Sequence, residues 1–291
     1  MEKLLIFLTA FLLDLLIGEP PEMLHPVVYM GRITMKINKL SEKSSSRLTR
    51  FLAGIVGSLI EILIWVMLAV GVWKLKSQLI FMILSAYLLK ASFAVRSLYE
   101  HVKKCETTDP KTLRKSVSLI VSRDVEKLDK AHLYSAAIES LAENINDSIT
   151  APLFYYVLLG LPGAILYRIS NTLDALFGYR TARYEWFGKF PARLDDLLNF
   201  IPARITALII LAFNPKRSWR YIKKYGRIKL NSTYPMSAFA GVLGVKLEKI
   251  GYYSFEGKDP DLKDLKASLK LYKKVALIIL ILTGIVLLIE G

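Results

Sequence analysis

Three apolar runs limit what this chain is able to fold into. Phe51–Trp73, Leu79–Val95 and Val275–Ile289 are hydrophobic over most of their length. A helix needs about 20 such residues to cross a bilayer core, fewer where flanking residues reach back to the interface. Phe51–Trp73 meets that length with one interruption, Glu61; Leu79–Val95 carries Lys90; Val275–Ile289 is short and unbroken. Leu4–Ile17 is shorter still. Its lack of a small-x-small cleavage site, its Asp14 and the Gly-Glu-Pro-Pro that follows mark it as a retained helix rather than a leader. Two more segments are ambiguous. Ile149–Ile169 is long enough but contains Pro152 and the break Gly160-Leu-Pro-Gly163, and Ile201–Phe213 is too short to cross alone and holds Arg204.

Charge supplies an orientation. The chain combines 53% hydrophobic residues with a formal charge of +15, a pairing uncommon in soluble domains. Of its 40 Lys and Arg, 30 fall in three linkers, residues 18–50, 96–148 and 214–274. The positive-inside rule places those linkers on the cytoplasmic side and both termini outside. The positive charge is therefore read as topology rather than as a nucleic-acid footprint, and no nucleic-acid-binding module is present. The expectation is an all-α, polytopic membrane helical bundle, one integral membrane domain over residues 1–291. Its spans are 4–17, 51–73, 79–95 and 275–289. Region 96–274 forms a cytoplasmic or membrane-embedded catalytic part, in which 149–169 and 201–213 are re-entrant or packed within protein, where broken backbone is tolerated. Cys105 is the one cysteine, so thiolate metal sites and internal disulfides are excluded. His25, His101 and His132 have no zinc-site spacing, and no GxxxxGK[ST] phosphate loop occurs.

The chemistry-bearing residues cluster ahead of and behind the broken segment. In "ESLAENINDS", residues 139–148, a helix at about 100° per residue sets Asn146, Glu139, Glu143, Asp147, Ser140 and Asn144 on one face. Ile138, Leu141, Ala142, Ile145 and Ile149 fall opposite. Surface helices interleave acids with Lys or Arg, yet none lies between Lys130 and Arg168. Carboxylates at the edge of an apolar segment are costly unless a cation, a metal or water receives them. The pattern recurs twice: "RISNTLDALFGYR" carries Asn171 and Asp174, and "RLDDLLNFIPAR" carries Asp196 and Asn199 with Asp195 alongside. Pairs three residues apart share a helix face. Three such segments brought together make a cytoplasm-facing polar cavity, and carboxylates with amide oxygens and water suit Mg²⁺. Arg168, Arg180, Arg183, Arg193 and Arg204 bracket the segments, and guanidinium groups match phosphate oxygens. Lesser candidates are the turn "DLLIGEPPEMLHPVVYMGR" with Asp14, Glu19, His25 and Arg32, and "SRD" at 122–124, which reads either as a helix N-cap at Ser122 or as an anion-binding element. Glu61 and Lys90, both inside apolar runs, are expected to pair.

The order of "DLLIGEPPEMLHPVVYMGR", "SRD", the block from "ESLAENINDSITAP" to "LFGYR", "RLDDLLNFIPARITAL" and "YPMSAFAGVLGVKLEK" resembles the CobD/CbiB family of cobalamin biosynthesis. The likeness runs from about residue 10 to 260; Glu19 stands where the motif more often has Asp. The resemblance implies an adenosylcobinamide-phosphate synthase: a carbon–nitrogen ligase in the cell membrane, its active site facing the cytoplasm. Such an enzyme uses ATP and Mg²⁺ to attach aminopropanol, or its O-phosphate, to a propionate of adenosylcobyric acid. It also leaves room for association with other corrinoid-pathway enzymes. On this reading Glu143, Asp147, Asp174, Asp195 and Asp196 supply metal ligands, and Glu139 is the first choice of general base. Asn144, Asn171 and Asn199 orient ligands. Arg168, Arg180 and Arg193, with Arg123 and His25, hold phosphates or the substrate carboxylate. The rival readings are a transporter, which also sets acids and broken helices at membrane depth, and a non-catalytic membrane sensor or scaffold.

Overall fold

A computed structural model describes residues 1–290. The elements in chain order are α1 (Glu2–Ile17), α2 (Pro26–Tyr29), α3 (Arg32–Ser41), α4 (Arg47–Val72), α5 (Gln78–Ser92), α6 (Arg96–Lys103), α7 (Pro110–Ser118) and α8 (Lys130–Ile145). A π-helical turn (Asn146–Thr150) leads into α9 (Ala151–Phe177). After it come α10 (Lys189–Leu198), α11 (Phe200–Leu211), α12 (Pro215–Tyr225), α13 (Thr233–Leu243), β1 (Glu248–Lys249), β2 (Tyr253–Ser254) and α14 (Leu262–Glu290). Among the described residues the single sheet is the two-residue antiparallel pairing of β1 with β2. The protein is an all-α membrane bundle, as its apolar periodicity predicts. Helix starts follow the sequence: Ser46, Asp109, Asp129 and Asn214 each accept a backbone N–H from their own first turn.

Four helices are long and apolar enough to cross a membrane: Arg47–Val72, Gln78–Lys103, the continuous run Lys130–Phe177 and Leu262–Glu290. Three of them overlap the segments 51–73, 79–95 and 275–289. The fourth differs. α1 has 16 residues, about 24 Å at 1.5 Å per residue, against a hydrocarbon core of about 30 Å. The run through 149–169 has the length instead, and 201–213 is the short helix α11. The anticipated break is present inside α9: Gly160 adopts φ +67°, a left-handed conformation open to glycine, and Pro162 removes a ladder donor two residues on.

The chain forms two compact units. The first comprises Met1–Ala94, Ala151–Asn199 and the segment from Thr283 on; the second comprises Val95–Thr150 and Phe200–Leu282. Region 96–274, read from sequence as one catalytic block, is thus shared between them. In the first unit α4 packs on α3, α9 and α10, and α5 on α1 and α9. The segment leading into α10 comes close to α4 because Gly54 lacks a side chain: a Cβ there would lie 2.0 Å from the Phe187 carbonyl oxygen. In the second unit α13 packs on α8, α11 and α12, and α8 also meets α6, α7 and β1.

Glu61 and Lys90 do not pair, contrary to expectation. Gly31, the residue before α3, has no side chain to cap it, so Glu61 reaches over from α4. Its Oε2 accepts the backbone N–H groups of Ile33 and Thr34, both at 3.0 Å. A buried carboxylate at a helix N-terminus satisfies orphan donors and meets the positive end of the dipole. Lys90, 3% exposed, instead lies 3.6 Å from Asp14 and 3.2 Å from Glu19.

Candidate functional site

The acid and amide residues of the first unit gather where α9 meets α10. Asp195 on α10 is clamped by two side-chain amides. Asn171 donates to one carboxylate oxygen at 3.2 Å and Asn199 to the other at 2.9 Å. Asn199 is itself oriented by the buried Tyr167, whose hydroxyl donates to its amide oxygen at 2.9 Å. Burial pushes the Asp195 carboxyl up to about 7, with the Asp174 carboxylate adding to the rise against the two amide bonds. Asp174 is thus near enough for its charge to act on Asp195. Repulsion of that kind is what a bound cation relieves.

This cluster borders a polar cavity of about 360 Å³ lined by Asp174, Arg180, Lys189, Arg193 and Asp196, with Gly178 and Gly188 in its walls. A Cβ at Gly178 would overlap the Asp174 carboxylate and one at Gly188 the Phe177 carbonyl, so both glycines let backbone approach closely. Arg180 and Arg193 are exposed. Arg193 donates to Asp196 at 3.2 Å. Arg168, half-buried on α9, lies one turn before Asn171 and Thr172, and its carbonyl accepts from the Thr172 hydroxyl at 2.8 Å. Two of the three amide–carboxylate segments thus come together here, as their spacing suggests. His25 joins a different group. Its Nδ1 accepts the Val27 N–H at the start of α2, and its Nε2 lies 2.7 Å from Glu19, in line with Lys90 and Asp14.

The third segment, Asn144 with Asp147, belongs to the second unit. There Glu139 is 3% exposed and forms an ion pair with Arg123, whose guanidinium also donates to the Glu248 carbonyl at 3.4 Å. A solvated amphipathic helix is thereby excluded for this stretch. The regular 100° spacing also ends early: the chain leaves α-helical geometry at Asn146 for a π turn, a feature frequent at functional sites. Buried Asn146 consequently accepts from the Thr206 hydroxyl on α11 at 3.2 Å and donates to Asp147 at 2.8 Å. Asn144 donates to the Ser140 carbonyl at 2.9 Å. Glu143, half-buried one turn after Glu139, has no ion pair among the described residues.

Arg123, Glu139, Glu143 and Asn144 line a second polar cavity of about 210 Å³, together with Lys229 and Lys249. Neither lysine was singled out from sequence. Each sits in a run of basic residues where nothing local distinguishes it. Tyr167 was missed too, because its role is visible only once Asn199 is beside it. Among the described residues, no three His, Cys, Asp or Glu side chains gather into a metal-holding group. A cage of five carboxylates is therefore not preassembled. Asp174 and Asp195 fit a magnesium ion of the kind that keeps water and substrate phosphate among its ligands.

With the sites described, the relatives can be compared. The CobD/Cbib protein family profile matches residues 7–278. The chain belongs to the CobD/CbiB family. Similar proteins include the "Probable cobalamin biosynthesis protein CobD" of Pyrococcus abyssi, 52% identical over 278 residues, which make up 94% of this chain and 93% of that one. The protein of the same name from Pyrococcus furiosus is 49% identical, with 96% of each chain covered. The "Cobalamin biosynthesis protein CobD" of Dehalococcoides mccartyi is 38% identical, with 87% of each covered. No solved structure matches this chain. The CobD/CbiB family is one of cobalamin biosynthesis, so the two polar sites are to be interpreted within that process.

Proposed function

We propose that this chain is an ATP-dependent carbon–nitrogen ligase of the cell membrane. It joins aminopropanol, or its O-phosphate, to a propionate of adenosylcobyric acid, with its polar sites open to the cytoplasm. The observation that carries the reading is the Asp195 carboxylate, clamped by Asn171 and Asn199 and pushed up by burial and by Asp174. Carboxylates near one another in this way are suited to receiving a cation with a phosphate.

The chemistry explains why those groups are needed. A carboxylate is a poor electrophile, because attack adds charge to an anion and must expel oxide. Transfer of the terminal phosphoryl group of ATP to the propionate gives an acyl phosphate, whose phosphate departs when the amine attacks the carbonyl carbon. The products are the amide, ADP and phosphate. Phosphoryl transfer depends mostly on positioning and on charge neutralisation. Mg²⁺, held by Asp174 and Asp195, would supply part of that neutralisation when bound. Arg180, Arg193 and Lys189 on the wall of the larger cavity hold phosphate oxygens, and Arg168 on α9 is assigned to phosphate or the propionate. The amine must lose a proton to become a nucleophile. Glu139 is occupied by its ion pair with Arg123, whereas Glu143 has no ion pair among the described residues, so Glu143 takes that role.

The test is product formation from adenosylcobyric acid, aminopropanol phosphate and Mg-ATP by membranes containing this chain. Asp174→Ala and Asp195→Ala are each expected to lower turnover at least 100-fold, and near-normal turnover in either removes that residue. A transporter reading draws on buried Lys90 and Asp14 in apolar helices. It requires substrate flux into sealed vesicles without ATP.

A further inference from the structure

α11 and α12 are successive helices of the second unit, and their free faces differ in kind. α11 packs on α13 and buries Pro202, Ala203, Thr206, Ala207 and Ile210. Its other face carries Ile201, 55% exposed, and Leu208, 59% exposed, seven residues apart and so on one stripe. Arg204 is the one charge on α11, and its guanidinium is turned aside. It donates to the carbonyl oxygens of Phe200 at 2.8 Å and Leu230 at 2.9 Å, and to the Asn231 amide oxygen at 2.7 Å. It also lies over the rings of Phe200 and Tyr234. The exposed stripe is therefore apolar. At 12 residues, about 18 Å, α11 is too short to cross a hydrocarbon core of about 30 Å.

Asn214 caps the start of α12, and beyond it the free face changes character. Ser218, Tyr221, Ile222 and Tyr225 are buried, and Ser218 donates to the Ala238 carbonyl on α13 at 3.0 Å. The exposed side is basic, and α12 contains no acid. Glu256 neutralises one flank, pairing with Arg220 at 3.0 Å and Lys224 at 2.8 Å. The other flank keeps Lys216, Lys223 and, just past the helix end, Arg227, none with an ion pair among the described residues. Trp219, 49% exposed, stands beside them with the Lys223 ammonium 5.3 Å from its ring centre. Ile228, next to Arg227, is 46% exposed. An apolar face followed by a basic and aromatic one is the profile of a single leaflet, hydrocarbon first and headgroups after. Cations left uncancelled at that level select headgroups of net negative charge.

We propose that the α11–α12 hairpin is a lipid-recognition element, with α11 lying in the hydrocarbon of one leaflet and Lys216, Lys223 and Arg227 holding the phosphates of anionic lipids. A nucleic acid or an acidic protein satisfies the three cations but leaves Ile201 and Leu208 in water. A leaflet satisfies both helices. The surface shares no residue with the lining of either polar cavity, so its test does not depend on the ligation reading.

The test uses the full chain in bilayer nanodiscs of phosphatidylcholine and phosphatidylglycerol. A fluorophore is attached through Leu208→Cys or Ile228→Cys, and nitroxide-bearing lipids serve as quenchers. The Leu208 reporter is expected to be quenched by a nitroxide on the acyl chain and shielded from aqueous iodide. At Ile228, spin-labelled phosphatidylglycerol should quench at least threefold more than the same fraction of spin-labelled phosphatidylcholine. That preference should fall as salt is raised, because exposed charges are screened. It should drop to parity in Lys216→Gln, Lys223→Gln, Arg227→Gln. It should survive in Lys111→Gln, Lys115→Gln, Lys127→Gln, which removes the same charge from exposed positions elsewhere in the unit. Iodide quenching at Leu208 as strong as at a reporter on Lys111→Cys overturns the placement of α11. Equal quenching by the two lipids, or equal loss of preference in the two triple variants, overturns the assignment of the cations.

Discussion

The Arg123–Glu139 pair offers the sharpest test of how the second unit is held together. Glu139 lies on α8 with its side chain 4% exposed, and Arg123, on the loop after α7, is 16% exposed. Taking two charges out of water costs several kcal/mol per ion, and the pair is tolerated only because each charge meets the other. Arg123 additionally reaches the Glu248 carbonyl, tying the loop to β1. Arg123→Ala leaves a buried carboxylate without its cation, and Glu139→Ala leaves a largely buried guanidinium without its anion. Each is expected to cost about 3–5 kcal/mol. Arg123→Met with Glu139→Leu removes both charges and keeps the volume filled. That double variant is expected to lie within about 2 kcal/mol of the natural chain, since buried pairs replaced by apolar groups are often neutral. The assay is a denaturant titration of the detergent-solubilised protein followed by tryptophan fluorescence, with the two single variants and the double variant forming a thermodynamic cycle. Single losses below about 1 kcal/mol, or a double loss equal to the sum of the singles, would refute the reasoning. Either result would mean that the groups are solvated or uncoupled.

Other perturbations follow from the same geometry. Because folding raises the Asp195 carboxyl to about 7 from an ordinary 3.8, the folded chain binds more protons than the unfolded one between those values. Its stability therefore falls as pH rises through that window, by at most about 1.4 kcal/mol per pH unit for one proton. Thermal unfolding in EDTA should show that slope in the natural chain and lose it in Asp195→Asn; parallel profiles would refute the assignment. Glu61→Ala strands two N–H groups of α3, one buried and one half-buried, and is expected to cost about 1–3 kcal/mol, measured by the same titration. Gly54→Ala places a methyl against the Phe187 carbonyl and should lower the melting temperature, whereas Gly71→Ala, with open space around it, should not. For orientation, cysteines placed at exposed Lys39 and Lys111 should react with an impermeant maleimide only after cells are opened. The natural Cys105 does not interfere, since burial pushes its thiol up to about 12; labelling of intact cells would reverse the assigned orientation.

Much of the architecture is legible in one dimension because it depends on neighbours in the chain. Apolar length marks the spanning helices, Ser, Asp and Asn mark their starts, and Gly160 with Pro162 marks the break in α9. The pairing of Asn171 with the Asp195–Asn199 segment was foreseeable from matching three-residue spacing. The outcome at Glu61 was not. An acid inside an apolar run seeks a partner, but its sequence cannot say that α3 begins at a glycine and needs a cap. The same holds for the end of α8, where the π turn shifts Asn146 away from the face that regular geometry assigns it.

Composition and periodicity by themselves determined a helical membrane protein with a stock of acids, amides and arginines around its broken segment. Tertiary structure alone decided which of those charges are cancelled. Arg123 and Glu139 neutralise each other, Asp195 is pinned by amides, and Lys229 and Lys249 arrive from segments about 100 residues beyond Glu143 to face the same cavity. Charge neutralisation depends on distance in space and on exclusion of water, and neither is written in the order of residues.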